Sequence, residues 1–281
     1  MRGRGPLAAA ALGALLLAVV VQGRIEARAA GRDAPSPLMY LPSGTYLDVV
    51  SLGFDEILAD AIYLWSIQYY GDYDIEDRYD YLDHIYGRVI TDLDPHYLDP
   101  YLTGALILDA EAGRPEAALR LLDKGIAANP GKWILAFEAG FLCYHELRDY
   151  PRAAAYFEKA LQAPDVHPLV RRLYAEMYAR AGDKRTSLRE WAEIHETARD
   201  EYVRTVAWNH VHDLKVEVDL EDLGRAIEAF RARTGTPPRR LEQLVQTGLL
   251  REMPRDPERR PYRYNPATGR VSYAGSLVLQ R

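Results

Sequence analysis

The chain has 281 residues, 48% apolar and 27% charged, with a formal net charge of −6 at neutral pH. That apolar content excludes a wholly disordered chain, and the negative balance gives no support to a nucleic-acid binder. The single cysteine, Cys143, excludes an intrachain disulfide, so the fold must rest on packing. It sits mid-helix among apolar residues and reads as a small buried side chain. The charge is uneven. Leu41 to Tyr101 carries 13 acidic residues against Arg78 and Arg88, whereas Arg225 to Arg281 carries 12 arginines, no lysine and 5 acids. Either end could steer a charged partner.

Arg2 and Arg4 precede Leu7 to Val21, 15 residues that are all apolar or glycine. A basic head followed by an apolar run is an export signal. The run is short of the roughly 20 residues a membrane span requires. Ala27-Arg28-Ala29 has the small residues of a cleavage site, while the charges of Arg24, Glu26 and Arg28 favour retention. Residues 1–30 are therefore expected to be a signal peptide or an N-terminal membrane anchor. The chain would be single-pass in the cell inner membrane with its body on the periplasmic side, or periplasmic after cleavage. Pro35, Pro37 and Pro42 make residues 31–50 a linker, with a turn at Leu41-Pro42-Ser43-Gly44.

Residues 51–70 carry an apolar pattern at helical spacing, including Leu52, Ile57, Leu58, Ile62, Trp65 and Tyr69, ended by Gly71. A second helix is predicted over Arg78 to Thr91, stopped by Asp94-Pro95. Between them, Asp72, Asp74, Glu76, Asp80 and Asp83 fall at positions 1, 3, 5, 9 and 12 of a calcium loop. Asp77 stands where such a loop needs glycine, which favours a solvated acidic loop.

Two copies of one pattern follow, 35 residues apart. Ala118, Leu122 and Gly125 correspond to Ala153, Phe157 and Ala160, and the turn Ala112 to Pro115 corresponds to Leu147 to Pro151. A period near 34 residues marks stacked helical hairpins. The small residues Ala118 and Ala153 allow close helix approach, and Leu122 and Phe157 fill the grooves between hairpins. This pattern resembles the tetratricopeptide repeat (TPR) family. Weaker copies flank it at Leu64 to Tyr97 and at Pro168 to Glu201, the latter with Tyr178, Gly182-Asp183 and Trp191. Leu41 to Gly44, Ile67 to Gly71 and Thr91 to Pro95 resemble stretches of uncharacterised, membrane-anchored bacterial TPR proteins.

Past residue 200, helices are predicted over Tyr202 to Val216 and Leu220 to Arg233, broken by Gly235-Thr236-Pro237-Pro238. Leu241 to Val245 is a short helix, and Tyr262 to Tyr273 alternates as a hairpin turning at Asn265 to Gly269. Thr234-Gly235, Leu241 to Leu244, Pro254 to Pro257 and Tyr262 to Tyr264 are similar to the C-terminal region of type II secretion pseudopilins. That family's long N-terminal methylated helix does not precede this segment.

The expected fold is mainly α: a TPR-type helical-hairpin solenoid over residues 51–200, with a small α+β C-terminal segment over 201–281. The TPR resemblance implies an extracytoplasmic scaffold for protein–protein interaction rather than an enzyme. The pseudopilin resemblance implies an alternative, an accessory or assembly component of a secretion or pilus-like apparatus. Tyr69, Asp109, Glu138 and His145 are the candidate groove-facing residues for a protein or peptide partner. The acidic N-terminal half favours a basic one. His210 and His212, two apart on a helix, face apart and are poor joint metal ligands. The sequence has no phosphate-binding loop, nucleophile elbow or paired-cysteine motif. No cofactor, metal, nucleic acid or small-molecule substrate is expected.

Overall fold

A computed structural model describes residues 41–73, 75 and 78–279. Among these residues the chain is mainly helical, with eleven helices and one two-stranded antiparallel sheet. The described residues divide into two compact units, with the division between Asp94 and Pro95. No helix among the described residues is long and apolar enough to cross a membrane. The predicted export segment, Leu7 to Val21, lies outside the described residues, and so do Asp74, Glu76 and Asp77 of the acidic loop.

The first unit holds α1 (Gly44–Ser51), α2 (Asp55–Tyr70) and α3 (residues 82–93). Gly44–Ser51, expected to be part of a linker, is helical, and Leu52 and Gly53, at φ 56° and 84°, separate it from α2, which starts at Asp55 and not at residue 51. In α3 the turns widen to a π-helix over Ile85–Ile90, and Thr91 Oγ1 donates to the Tyr86 carbonyl at 2.6 Å. α2 buries Ala59, Ile62, Tyr63, Tyr69 and Tyr70, and α3 buries Leu82, Ile85, Tyr86, Val89 and Ile90. Tyr86 stacks on Tyr70 at 5.8 Å and meets Tyr63 edge-on at 6.3 Å. The other side of α2 leaves Ile57, Leu64 and Trp65 exposed.

The second unit runs through α4 (residues 98–111), α5 (Pro115–Ala128), α6 (Trp133–His145), α7 (Tyr150–Leu161), α8 (Pro168–Arg180), α9 (Lys184–Thr197) and α10 (Glu201–Thr234). Each packs on the next in sequence, and α4 also touches α6. Prolines at the first turns of α5, α7 and α8 suit starts where no intrahelical N–H partner exists. Ala118, Leu122, Ala153, Phe157 and Ala160 are all buried, as their pattern required. Two glycines set the closest approaches. A Cβ on Gly125 would sit 2.9 Å from the Tyr101 ring, and one on Gly140 2.8 Å from the Phe157 ring.

The turns ending α4, α6 and α8 share one geometry. Gly113, Arg148 and Gly182 are left-handed, at φ 63°, 55° and 89°. The following N–H reaches back to a carbonyl of the helix just finished: Arg114 to Leu108, Asp149 to Cys143 and Asp183 to Tyr178. These bonds satisfy carbonyls that a helix end leaves unpaired. Asp149 and Asp183 then cap the next helix by accepting from the Arg152 and Thr186 N–H groups.

α10 is one helix of 34 residues, not two. Its apolar stripe changes partners midway, which made the sequence pattern look interrupted. Ala207 and Leu214 pack with Ala175, Trp191 and Ile194, whereas Val216, Leu223, Ile227 and Phe230 pack with Leu241, Leu244 and Tyr262. No glycine or proline falls between the two clusters to break the backbone. Gly235, at φ 79°, closes the helix, followed by α11 (Glu242–Gln246). Strands β1 (Arg263–Asn265) and β2 (Arg270–Ser272) form the expected hairpin, with Tyr264 opposite Val271.

Candidate functional site: an acidic pocket on two helices

α4 and α6 frame a pocket of about 160 Å³ lined by Leu102, Leu106, Asp109, Glu138, Phe141, His145 and Glu146, with Leu122 of α5 beneath. Three of the four candidate residues, Asp109, Glu138 and His145, therefore meet at one place. The fourth, Tyr69, lies in the first unit. It is buried, edge-on to Tyr70 at 5.5 Å and 6.2 Å from Trp65.

The local structure explains the convergence. Asp109 sits in a π-helical stretch, Ile107–Glu111, which widens the end of α4 and is a frequent device at binding sites. Glu138, Phe141 and His145 fall at i, i+3 and i+7 on α6 and so share one face. The Phe141 and His145 rings stack at 5.7 Å with 6° between their planes. His145 Nδ1 lies 2.5 Å from Glu146 Oε1. Leu106 and Phe141 keep apolar surface at the rim, 65% and 40% exposed.

His145 is the one basic side chain of the lining, and it lies against Glu146. Neither Asp109 nor Glu138 has a hydrogen bond or ion pair among the described residues. Burial raises the Asp109 carboxyl above its ordinary value, and the nearby Glu146 charge adds to this. Burial raises Glu138 in the same direction. Both acids are partly desolvated, Asp109 with a partial offset from His145 and Glu138 with none, and a cation placed between them would compensate both. Glu146 and the role of Phe141 escaped the sequence reading. Their only trace was the spacing of Phe141 from Glu138 and His145.

A second polar cluster joins α10 to the tail. His212 Nδ1 lies 2.8 Å from Asp213 Oδ1, and Nε2 lies 3.0 Å from Glu258 Oε1 and 3.1 Å from the Tyr273 hydroxyl. Asp213 also accepts from the Val278 and Leu279 N–H groups, at 2.8 and 2.7 Å. Burial opposes charge on His212, but its bonds to Asp213 and Glu258 outweigh this and raise its pKa. The Glu258 carboxyl, opposed by desolvation, is held down to about 2 chiefly by His212 and Tyr273. Both imidazole nitrogens are engaged, so the cluster is a clamp holding the hairpin and tail against α10. His210 points elsewhere and stacks on Trp191 at 3.9 Å, which agrees with the expectation that the two histidines face apart. Among the described residues no group of histidine, cysteine or carboxylate side chains is arranged to hold a metal.

No protein-family model matches the chain, and no curated protein matches it.

Proposed function

We propose that the protein is an interaction scaffold of the TPR type, whose acidic pocket takes a basic side chain from a protein or peptide segment. The observation that carries this is the pair Asp109 and Glu138, two unpaired carboxylates on α4 and α6 that line one pocket. A lysine or arginine there meets charges that the fold has already desolvated. Charge-assisted hydrogen bonds are worth about 1.5–3 kcal/mol each. The exposed Phe141 ring and Leu106 side chain offer contact to the aliphatic stem, and the ring suits a guanidinium.

Three features support the stacked-hairpin reading. The left-handed turn residues Gly113, Arg148 and Gly182 recur at 35 and 34 residues, each hairpin packs on the next, and α4 reaches past α5 to touch α6. The sequence of residues 1–30 supports export, with the body in the periplasm and the inner membrane as its anchor. We read the pocket as recognising a partner, not as catalytic, because its lining combines carboxylates with aromatic and aliphatic carbon.

The test is fluorescence anisotropy with a labelled peptide of leucines around a central arginine, beside its citrulline counterpart, which has the same shape without charge. Preference for arginine of about tenfold or more, lost in a D109N/E138Q double variant, supports the reading. Equal binding of both peptides overturns it.

A second reading rests on the C-terminal segment. The cleft between α10 and residues 250–259, about 700 Å³, is lined by Trp208, Val211, Lys215, Met253, Arg255 and Arg259 among others. That surface supports docking of another subunit through the pseudopilin-like region, as a secretion or pilus-like accessory would need. Removing residues 236–281 would then abolish recruitment to such an apparatus, and retained recruitment counts against it.

A further inference from the structure

A different pocket in the second unit has the opposite chemistry. It measures about 450 Å³ and lies where the start of α8, the end of α9 and the start of α10 meet. Its walls include Pro168, Ile194, Ala198 and Val203, and its charged lining is Arg171, Arg172, Arg199 and Asp200.

The three arginines are not equivalent. Arg171 is neutralised by Glu193 at 2.5 Å and Glu190 at 3.4 Å. Arg172 and Arg199 have no hydrogen bond or ion pair among the described residues. The Nε atoms of Arg171 and Arg172 are both buried without an acceptor. The one acid of the lining, Asp200, is engaged in accepting from the Val203 N–H at 2.9 Å to cap α10. A concave apolar wall beside two unpaired guanidinium groups is the make-up of a ligand site for an anion with an apolar body.

We propose that this pocket binds a small amphiphilic anion, a carboxylate or phosphate carried on a compact aliphatic group. The anionic oxygens bridge Arg172 and Arg199, and the aliphatic group lies against Ile194 and Val203. This goes beyond the scaffold reading and rests on none of the residues of the acidic pocket.

The test is methyl NMR of the full chain, following the Ile194 and Val203 signals during titration with four probes. These are 4-methylpentanoate, its neutral amide, 3-methylbutyl phosphate and inorganic phosphate. The expected result is that at least one aliphatic anion binds about tenfold or more tightly than the amide. It should also bind more tightly than inorganic phosphate, and a R172Q/R199Q double variant should lose the difference while its spectrum otherwise stays native. A preference between carboxylate and phosphate ester identifies the head group. The amide matching the acid, inorganic phosphate matching the ester, or the double variant binding as the parent does would each overturn the proposal. The probe comparison on the parent chain stands even where the double variant fails to fold. The D109N/E138Q variant should bind these probes unchanged, which separates this result from any failure of the scaffold reading.

Discussion

Arg148 holds the same left-handed turn, at φ 55°, that Gly113 holds 35 residues earlier at φ 63°. Both follow a helix, and both precede an N–H that bonds back to that helix, Asp149 to Cys143 and Arg114 to Leu108. The same turn geometry thus recurs 35 residues on, although the residue type differs.

Arg148→Gly should therefore stabilise the protein. A side chain in the left-handed region costs about 1–2 kcal/mol, and glycine returns roughly half of that through its greater freedom when unfolded. A net gain of about 0.5–1 kcal/mol is expected, read as a higher urea midpoint at unchanged slope. A lowered midpoint would show that Arg148 makes compensating contacts.

Gly140→Ala should do the reverse. The new methyl would meet the Phe157 ring at 2.8 Å, and Phe157 is fully buried. Overpacking of this kind costs about 1–3 kcal/mol. Adding Phe157→Leu should recover part of the loss, because the clash is with the ring. Two losses that simply add would locate the damage elsewhere.

The acidic pocket makes a signed prediction. Asp109 and Glu138 have raised pKa values in the folded chain, so the folded state holds protons that the unfolded state has released. Stability then falls as pH rises from the ordinary carboxyl range, 3.8 for Asp109 and 4.5 for Glu138, through the raised values. Asp109→Asn and Glu138→Gln should each raise stability at neutral pH, by about 0.5 kcal/mol, while weakening any basic partner. Chemical denaturation at pH 7 checks the first effect. Reduced stability in both variants would mean that the carboxylates already have partners.

In the clamp, His212 has the same sign at higher pH, while its two carboxylate partners have the opposite one. Its raised folded pKa gives stabilisation that is full below the ordinary histidine value of 6.5 and is lost as pH rises through the folded value. The lowered pKa values of Asp213 and Glu258 give stabilisation present above 3.8 and 4.5, lost as pH falls through their folded values. The clamp is strongest between about pH 4.5 and 6.5, by this sign argument. Thermal melting from pH 4 to 9 should show this contribution decline above that window, and His212→Gln should flatten the decline. Cleavage of the tail by a protease should quicken in the same variant. An unchanged pH profile would remove His212 from the account.

Local pattern made the helical class and the burial of Ala118, Leu122, Ala153 and Phe157 legible. Each depends on residues within a turn or two, and on a period that shows without knowing what packs against what. The same logic found the Tyr262 to Tyr273 hairpin. Asp109, Glu138 and His145, three of the candidates it offered, line one pocket between α4 and α6.

Distance in sequence hid the rest. Tyr69 looked free to face a groove, but its burial depends on how Tyr70 and Trp65 pack beside it within the first unit. α10 read as two helices because its apolar stripe changes partners midway, and no local rule reports a change of partner. His212 reaches Glu258 and Tyr273, 46 and 61 residues away, so its charge state was set by neighbours the linear pattern could not supply. The same holds for Arg172 and Arg199. On the sequence they are two arginines among many, and only the meeting of three helix ends puts them in one pocket.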